Sequence, residues 1–167
     1  WFVTSPRDKA AVKLRLYAIP FAGRGASLFH TWRAILPDWI ELVAIQLPGR
    51  EARMGEPALT RIPEIVTALK NEIVASNTQP YAFFGYSMGA LIGFETARAL
   101  LSEEYSKPLA LILGAHQPPH YRAAPVRFHA MSDAEFIAEM QRLYDGIPQE
   151  VLKNKNLMQL LLPTLRR

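Results

Sequence analysis

The stretch Tyr81-Ala82-Phe83-Phe84-Gly85-Tyr86-Ser87-Met88-Gly89 governs how the rest of the chain is read. Tyr81 to Phe84 is apolar and aromatic, the composition of a buried strand. The last five residues fit Gly-x-Ser-x-Gly, and Met88 to Leu101, rich in alanine and leucine, continues as a helix. A serine on a sharp turn between strand and helix has its hydroxyl lifted above the carboxyl edge of a sheet. Two flanking glycines leave room for the strained backbone this requires, and the following helix points its first amides toward developing negative charge. Ser87 is therefore the candidate nucleophile. A serine serving only as helix N-cap is the plainer alternative, but it leaves both glycines unexplained.

Outward from this stretch, strands and helices alternate. After a polar start, Lys13 to Ile19 sets Leu14, Leu16 and Ala18 against Lys13, Arg15 and Tyr17, and Pro20 stops the run, as expected of a strand. Ser27 is placed to cap a helix through Phe29, Trp32, Ile35 and Leu36 that Pro37 ends. Leu42 to Ile45 is a short apolar strand closed by Leu47-Pro48-Gly49. Ile62, Ile65, Val66, Leu69 and Ile73 recur at helical spacing and predict an amphipathic helix over 61–75. Leu109 to Leu113 is a further, fully apolar strand. This order predicts an α/β fold: a mostly parallel sheet covered by helices on both sides.

From about Met131 helices follow one another with no strand between them. Ser132-Asp133-Ala134-Glu135 is a capping-box sequence opening a helix with Phe136, Met140 and Leu143 on one face. Gly146 and Pro148 break it, and Leu157 to Leu165 is helical in pattern despite Pro163. The expected division is 1–130 for the sheet-bearing core and 131–167 for a helical insertion.

An acyl-transfer serine needs amides aimed at the oxyanion. Met88, directly after the nucleophile, supplies the first; the second comes from Phe21 or Ala22 in the loop Pro20 to Gly25. A dinucleotide fingerprint in that loop fails, because position 28, where its third glycine belongs, is Leu.

The 167 residues suffice for one substantial core, and no apolar run reaches membrane-spanning length. The start Trp1 to Arg7 lacks the basic and apolar regions of a secretory signal, which makes a soluble, cytoplasmic protein the expectation. The charge of +4, from 19 basic and 15 acidic residues, is scattered rather than striped, which argues against nucleic acid as partner. With no cysteine there is neither disulfide framework nor thiol catalysis. His116 and His120 have no acidic or cysteine neighbour at ligand spacing, so no metal is expected there.

Pro20-Phe21-Ala22-Gly23, Leu47-Pro48-Gly49-Arg50-Glu51 and Gly85-Tyr86-Ser87-Met88-Gly89, in this order and spacing, resemble the type II thioesterases of nonribosomal peptide and polyketide assembly lines. The resemblance runs from about Leu14 to the end of the chain. It implies an α/β-hydrolase fold and an editing enzyme that removes acyl groups from the phosphopantetheine thiol of carrier proteins. Ser87 would form an acyl-enzyme that histidine-activated water hydrolyses, with no metal or bound organic cofactor, and the helices from 131 would form a mobile lid. Tyr86 stands where many members carry His, and Arg24 where the family often has a second Gly.

In this fold the acid and base follow the serine in the chain. Asp8, Asp38, Asp133 and Asp145 fall in predicted helices, their ends or the tail; His30 falls on a helix, and His116, His120 and His129 precede the lid. None matches the family's acid or base, so the expectation is that the C-terminal part of the fold is missing. Two rival readings follow: an esterase or acyltransferase on small acyl substrates, and a catalytically incomplete fragment that only binds carrier protein.

Overall fold

A computed structural model describes residues 1–4, 10–103, 105, 107–118, 120, 121, 130–144, 152, 154, 156, 158, 159 and 162. Two compact units divide the chain, Trp1–His116 and Gln117–Arg167.

The first unit is built on a five-stranded sheet of order β1-β3-β2-β4-β5. The strands are β1 (Phe2–Thr4), β2 (Leu14–Ile19), β3 (Ile40–Ile45), β4 (Tyr81–Tyr86) and β5 (Leu111–Gly114). β3, β2, β4 and β5 run parallel, and only β1 is antiparallel, with Phe2 opposite Ile45 and Thr4 opposite Val43. With three residues, β1 is too short to show an alternating pattern, so the polar start concealed a strand.

Alternation sorts the side chains to two faces. On one, Tyr17, Ile19, Val43, Ile45, Tyr81 and Phe83 pack with Ile65, Leu69 and Ile73 of α2 (Ile62–Ser76) and Ile92, Ala97 and Leu100 of α3 (Met88–Ser102). On the other, Ala18, Leu42, Ala44 and Phe84 meet Ala26, Phe29, Trp32 and Leu36. Each fully buried large side chain is worth about 1.5–3 kcal/mol, so this two-sided burial holds the unit together. Pro63 in the first turn suits a helix start, where no backbone donor is missed. Lys70 and Glu103 pair between α2 and the end of α3.

Two expectations change. The segment from Ser27 to Leu36 is not one helix but a 3-10 turn, Ala26–Phe29, followed by a single helical turn α1 (Trp32–Ile35). Ser27 caps nothing: its amide and hydroxyl both donate to the Glu51 carboxylate, at 3.2 and 2.5 Å, and Ile35 is exposed. A distant side chain has taken the groups that a local cap would use. The last strand begins at Leu111 rather than Leu109 and forms a sheet edge among the described residues, with Leu111, Ile112 and Leu113 exposed rather than buried on both faces.

In the second unit, α4 (Asp133–Tyr144) opens with the expected capping box. The Ser132 amide and hydroxyl donate to Glu135 at 2.8 and 2.7 Å, and the Glu135 amide donates back to the Ser132 hydroxyl at 3.3 Å. Phe136 is buried with Met158 and Leu162, flanked by Met131, Ile137, Met140 and Leu152. Asp8, His129, Asp145, Gly146, Pro148, the Leu143 side chain and most of Leu157–Leu165 lie outside the described residues.

Candidate active site

β2 leads to its neighbour β3 on one side, whereas β3 leads back past β2 to β4 on the other, so the strand order reverses between β2 and β4. In open parallel sheets the carboxyl ends flanking such a reversal form a crevice where ligands bind. Ile19, the last residue of β2, lies opposite Gly85 near the end of β4. The loop Pro20–Gly25 and the turn at Ser87 therefore emerge side by side, and the Phe21 and Tyr86 rings meet edge-on at 6.0 Å.

Ser87 joins β4 to α3 with φ 55° and ψ −118°, a conformation that L residues rarely adopt. Strain of this kind costs on the order of 1–3 kcal/mol and survives only where the surroundings enforce it. Three contacts enforce it here. The Ser87 amide donates to the Gly114 carbonyl at the end of β5, at 2.9 Å. A Cβ on Gly85 would stand 2.3 Å from the Gly89 oxygen, and one on Gly89 would stand 2.2 Å from the Ile19 oxygen and 2.8 Å from that of Pro20. Only glycines let β4, the start of α3 and the end of β2 come this close. The Ser87 hydroxyl makes no cap bond to the helix, so the N-cap alternative does not hold.

At the start of α3 the Ala90 and Leu91 amides donate to the Ser87 carbonyl at 2.9 and 3.3 Å. Met88 and Gly89 precede them and have no acceptor within the helix, which leaves the Met88 amide available beside the serine. Across the crevice, Arg24 N donates to Phe21 O at 3.2 Å, closing a turn whose third residue, Gly23, has φ 78°. The Phe21 and Ala22 amides take no part in the backbone bonds outside helices and strands among the described residues. Met88, Phe21 and Ala22 are thus brought to one crevice with Ser87.

The other candidates are scattered. His30 ends the 3-10 turn, its Nδ1 3.1 Å from the Ser27 carbonyl; His116 and His120 are exposed beyond β5; Asp38 precedes β3 and Asp133 opens α4. Among the described residues, His30 is thus engaged with Ser27 rather than with Ser87. Among them, too, no group of three or more His, Asp or Glu could hold a metal, and no helix is long and apolar enough to cross a membrane.

Sequence reasoning assigned no role to Gln46, Arg50 or Glu51, which reach the loop after β2 from the segment that follows β3. Gln46 Oε1 accepts from the Ala26 amide at 2.9 Å, and Arg50 Nη1 donates to the Arg24 carbonyl at 3.2 Å. Glu51 holds Ser27, and a Cβ on Gly25 would lie 2.4 Å from the Glu51 carboxylate carbon. The available signal was the apolar run from Leu42 to Pro48 with one glutamine, Gln46, inside it.

The model of the thioesterase domain family matches residues 14–167. Gramicidin S biosynthesis protein GrsT of Aneurinibacillus migulanus is 42% identical over 166 residues, which is 99% of this chain and 64% of that protein. Among solved structures, RedJ, a thioesterase from the prodiginine pathway of Streptomyces coelicolor, superposes with a TM-score of 0.83 at 30% identity, over 97% of this chain and 63% of that one. YbtT, a type II thioesterase from the yersiniabactin pathway, gives 0.80 at 34% identity, over 99% and 66%. The chain thus spans about 64% of the length of a curated relative such as GrsT. The match over residues 14–167, together with a serine elbow at the sheet's reversal point, makes this chain a member of the thioesterase domain family with an α/β-hydrolase fold.

Proposed function

We propose that the chain supplies the nucleophile and oxyanion hole of an editing thioesterase acting on acyl groups carried by the phosphopantetheine thiol of carrier proteins. The observation that carries this reading is the strained Ser87 elbow, set beside the Phe21–Arg24 turn at the switch point of the sheet. The names of GrsT and YbtT place those proteins in gramicidin S biosynthesis and in a nonribosomal peptide/polyketide pathway, which favours a carrier-bound substrate here.

In the proposed reaction Ser87 Oγ adds to the thioester carbonyl while its proton passes to a general base. The tetrahedral oxyanion is met by the Met88 amide and by that of Phe21 or Ala22. Collapse expels the pantetheine thiol, which takes up the proton, and leaves an acyl ester on Ser87. Water then repeats the sequence and releases the acid. The acyl group arrives on its partner's own arm, so these steps use no metal and no resident organic cofactor.

The test is intact mass spectrometry of an acylated carrier protein mixed with the protein or with Ser87→Ala. Loss of the acyl mass with the wild type alone supports the reading. An unchanged carrier, or equal loss with Ser87→Ala, overturns it. Equal rates on a carrier-bound and a small-thiol thioester would favour the esterase or acyltransferase alternative.

A further inference from the structure

Arg50 is the most unusual cation of the first unit. Its side chain lies in the interior with 7% of the residue exposed, and among the described residues no carboxylate pairs with it. Among the described residues its Nε is buried with no hydrogen-bond partner, and its side chain has one polar contact, the 3.2 Å bond from Nη1 to the Arg24 carbonyl. Burial pushes its pKa below the ordinary arginine value. An unpaired interior guanidinium is costly for a fold to keep, and a packing role alone would be served better by Met or Leu.

The bond falls at a particular place. The loop after β2 is clamped at its start, where Gly89 lies against the Ile19 and Pro20 carbonyls. Downstream it is held at Ala26 by Gln46 and at Ser27 by Glu51. Between these clamps lie the turn Phe21–Arg24, whose first residues supply the second oxyanion amide in the proposed reaction, and Gly25, which lies against the Glu51 carboxylate. Arg24 is the last residue of that turn. The backbone that carries the guanidinium is itself anchored, since the Arg50 carbonyl accepts from Gln46 Nε2 at 2.7 Å and from the Arg53 amide at 2.9 Å.

We propose that Arg50 is a positioning residue that keeps the second oxyanion donor in register by fixing the far end of the Phe21–Arg24 turn through the Arg24 carbonyl. This rests on the thioesterase reading and gives the Leu47–Glu51 motif a task in it. Arg50 touches no substrate. It holds the loop whose amide does, and misplacing a catalytic donor by about 1 Å can cost about a hundredfold in rate.

The test is Arg50→Met in the full chain, with two measurements. Steady-state hydrolysis of an acylated carrier protein should show kcat lowered by about tenfold to a hundredfold with KM within about twofold of wild type, the split for a contact felt only in the transition state. Hydrogen exchange should quicken at the Arg24 amide, which bonds to the Phe21 carbonyl, while the α2 and α3 amides keep their protection. Unchanged kcat, or unchanged exchange in the turn, overturns the proposal. If Arg50→Met does not fold, Arg50→Gln is read by the same criteria. If the wild type itself leaves acyl-carrier intact, the thioesterase reading fails, and the exchange measurement still decides whether Arg50 fixes the turn.

Discussion

The Gly89 Cα lies so close to the Ile19 carbonyl that a methyl group on it would stand 2.2 Å from that oxygen. This contact joins the first turn of α3 to the end of β2, and through it the serine elbow to the loop after β2. Neither partner is a mobile side-chain tip, so the strain of an added Cβ must be taken up by backbone.

Gly89→Ala should therefore destabilise the protein strongly, by about 3 kcal/mol or more, as overpacking against fixed backbone does. Urea denaturation followed by tryptophan fluorescence measures it. A loss below about 0.5 kcal/mol would show that the two backbones are free to separate.

Ser87→Gly should act in the opposite direction on stability. At φ 55° and ψ −118° a glycine relieves strain of roughly 1–3 kcal/mol, and the melting temperature should rise by about 2–4 °C per kcal/mol gained. The proposed acyl transfer should disappear, because the hydroxyl is gone. A lower melting temperature than wild type would show that the elbow holds no strain.

Tyr17 is fully buried against Phe2, Tyr81 and Phe83, and its hydroxyl lies near the Arg15 guanidinium without a well-formed hydrogen bond. Burial raises its pKa from 10.0 to about 12. The neutral phenol thus contributes stability that is fully present below pH 10 and is lost as pH rises through about 12. Tyr17→Phe should be neutral or stabilising by about 1 kcal/mol at pH 8, and its advantage over wild type should widen at pH 11. Denaturation of both proteins at the two pH values checks this; a constant difference would contradict it.

Ser132→Ala removes the two bonds that the Ser132 hydroxyl makes, one donated to the Glu135 carboxylate and one accepted from the Glu135 amide, and keeps the bond from the Ser132 backbone amide. The second unit should lose about 1 kcal/mol, seen as faster hydrogen exchange at the first amides of α4. Unchanged protection there would mean that the packing of Phe136 on Met158 and Leu162 alone holds the helix start.

The sequence by itself determined what short-range rules govern. Strands β2 and β4, helices α2 and α3, the capping box at Ser132 and the glycine-flanked turn at Ser87 follow from alternation, helical spacing and local backbone freedom. All of these are properties of a few neighbouring residues. The pairing of Ser87 with the Phe21–Ala22 loop was legible through motif order, although its proximity came from β2 lying beside β4, a partnership of residues more than sixty positions apart. Tertiary structure alone decided the rest. Three residues at Phe2–Thr4 become a strand only because β3 offers them an edge, and Ser27 abandons its local cap because Glu51 competes for the same atoms. The fully apolar Leu111–Leu113 segment is exposed because it lies at the sheet's edge among the described residues. Burial of Arg50 beneath Arg24 is of the same kind. A cation's cost is set by how much water the surrounding fold excludes, and neither that exclusion nor a partner 26 residues away is encoded by any local pattern.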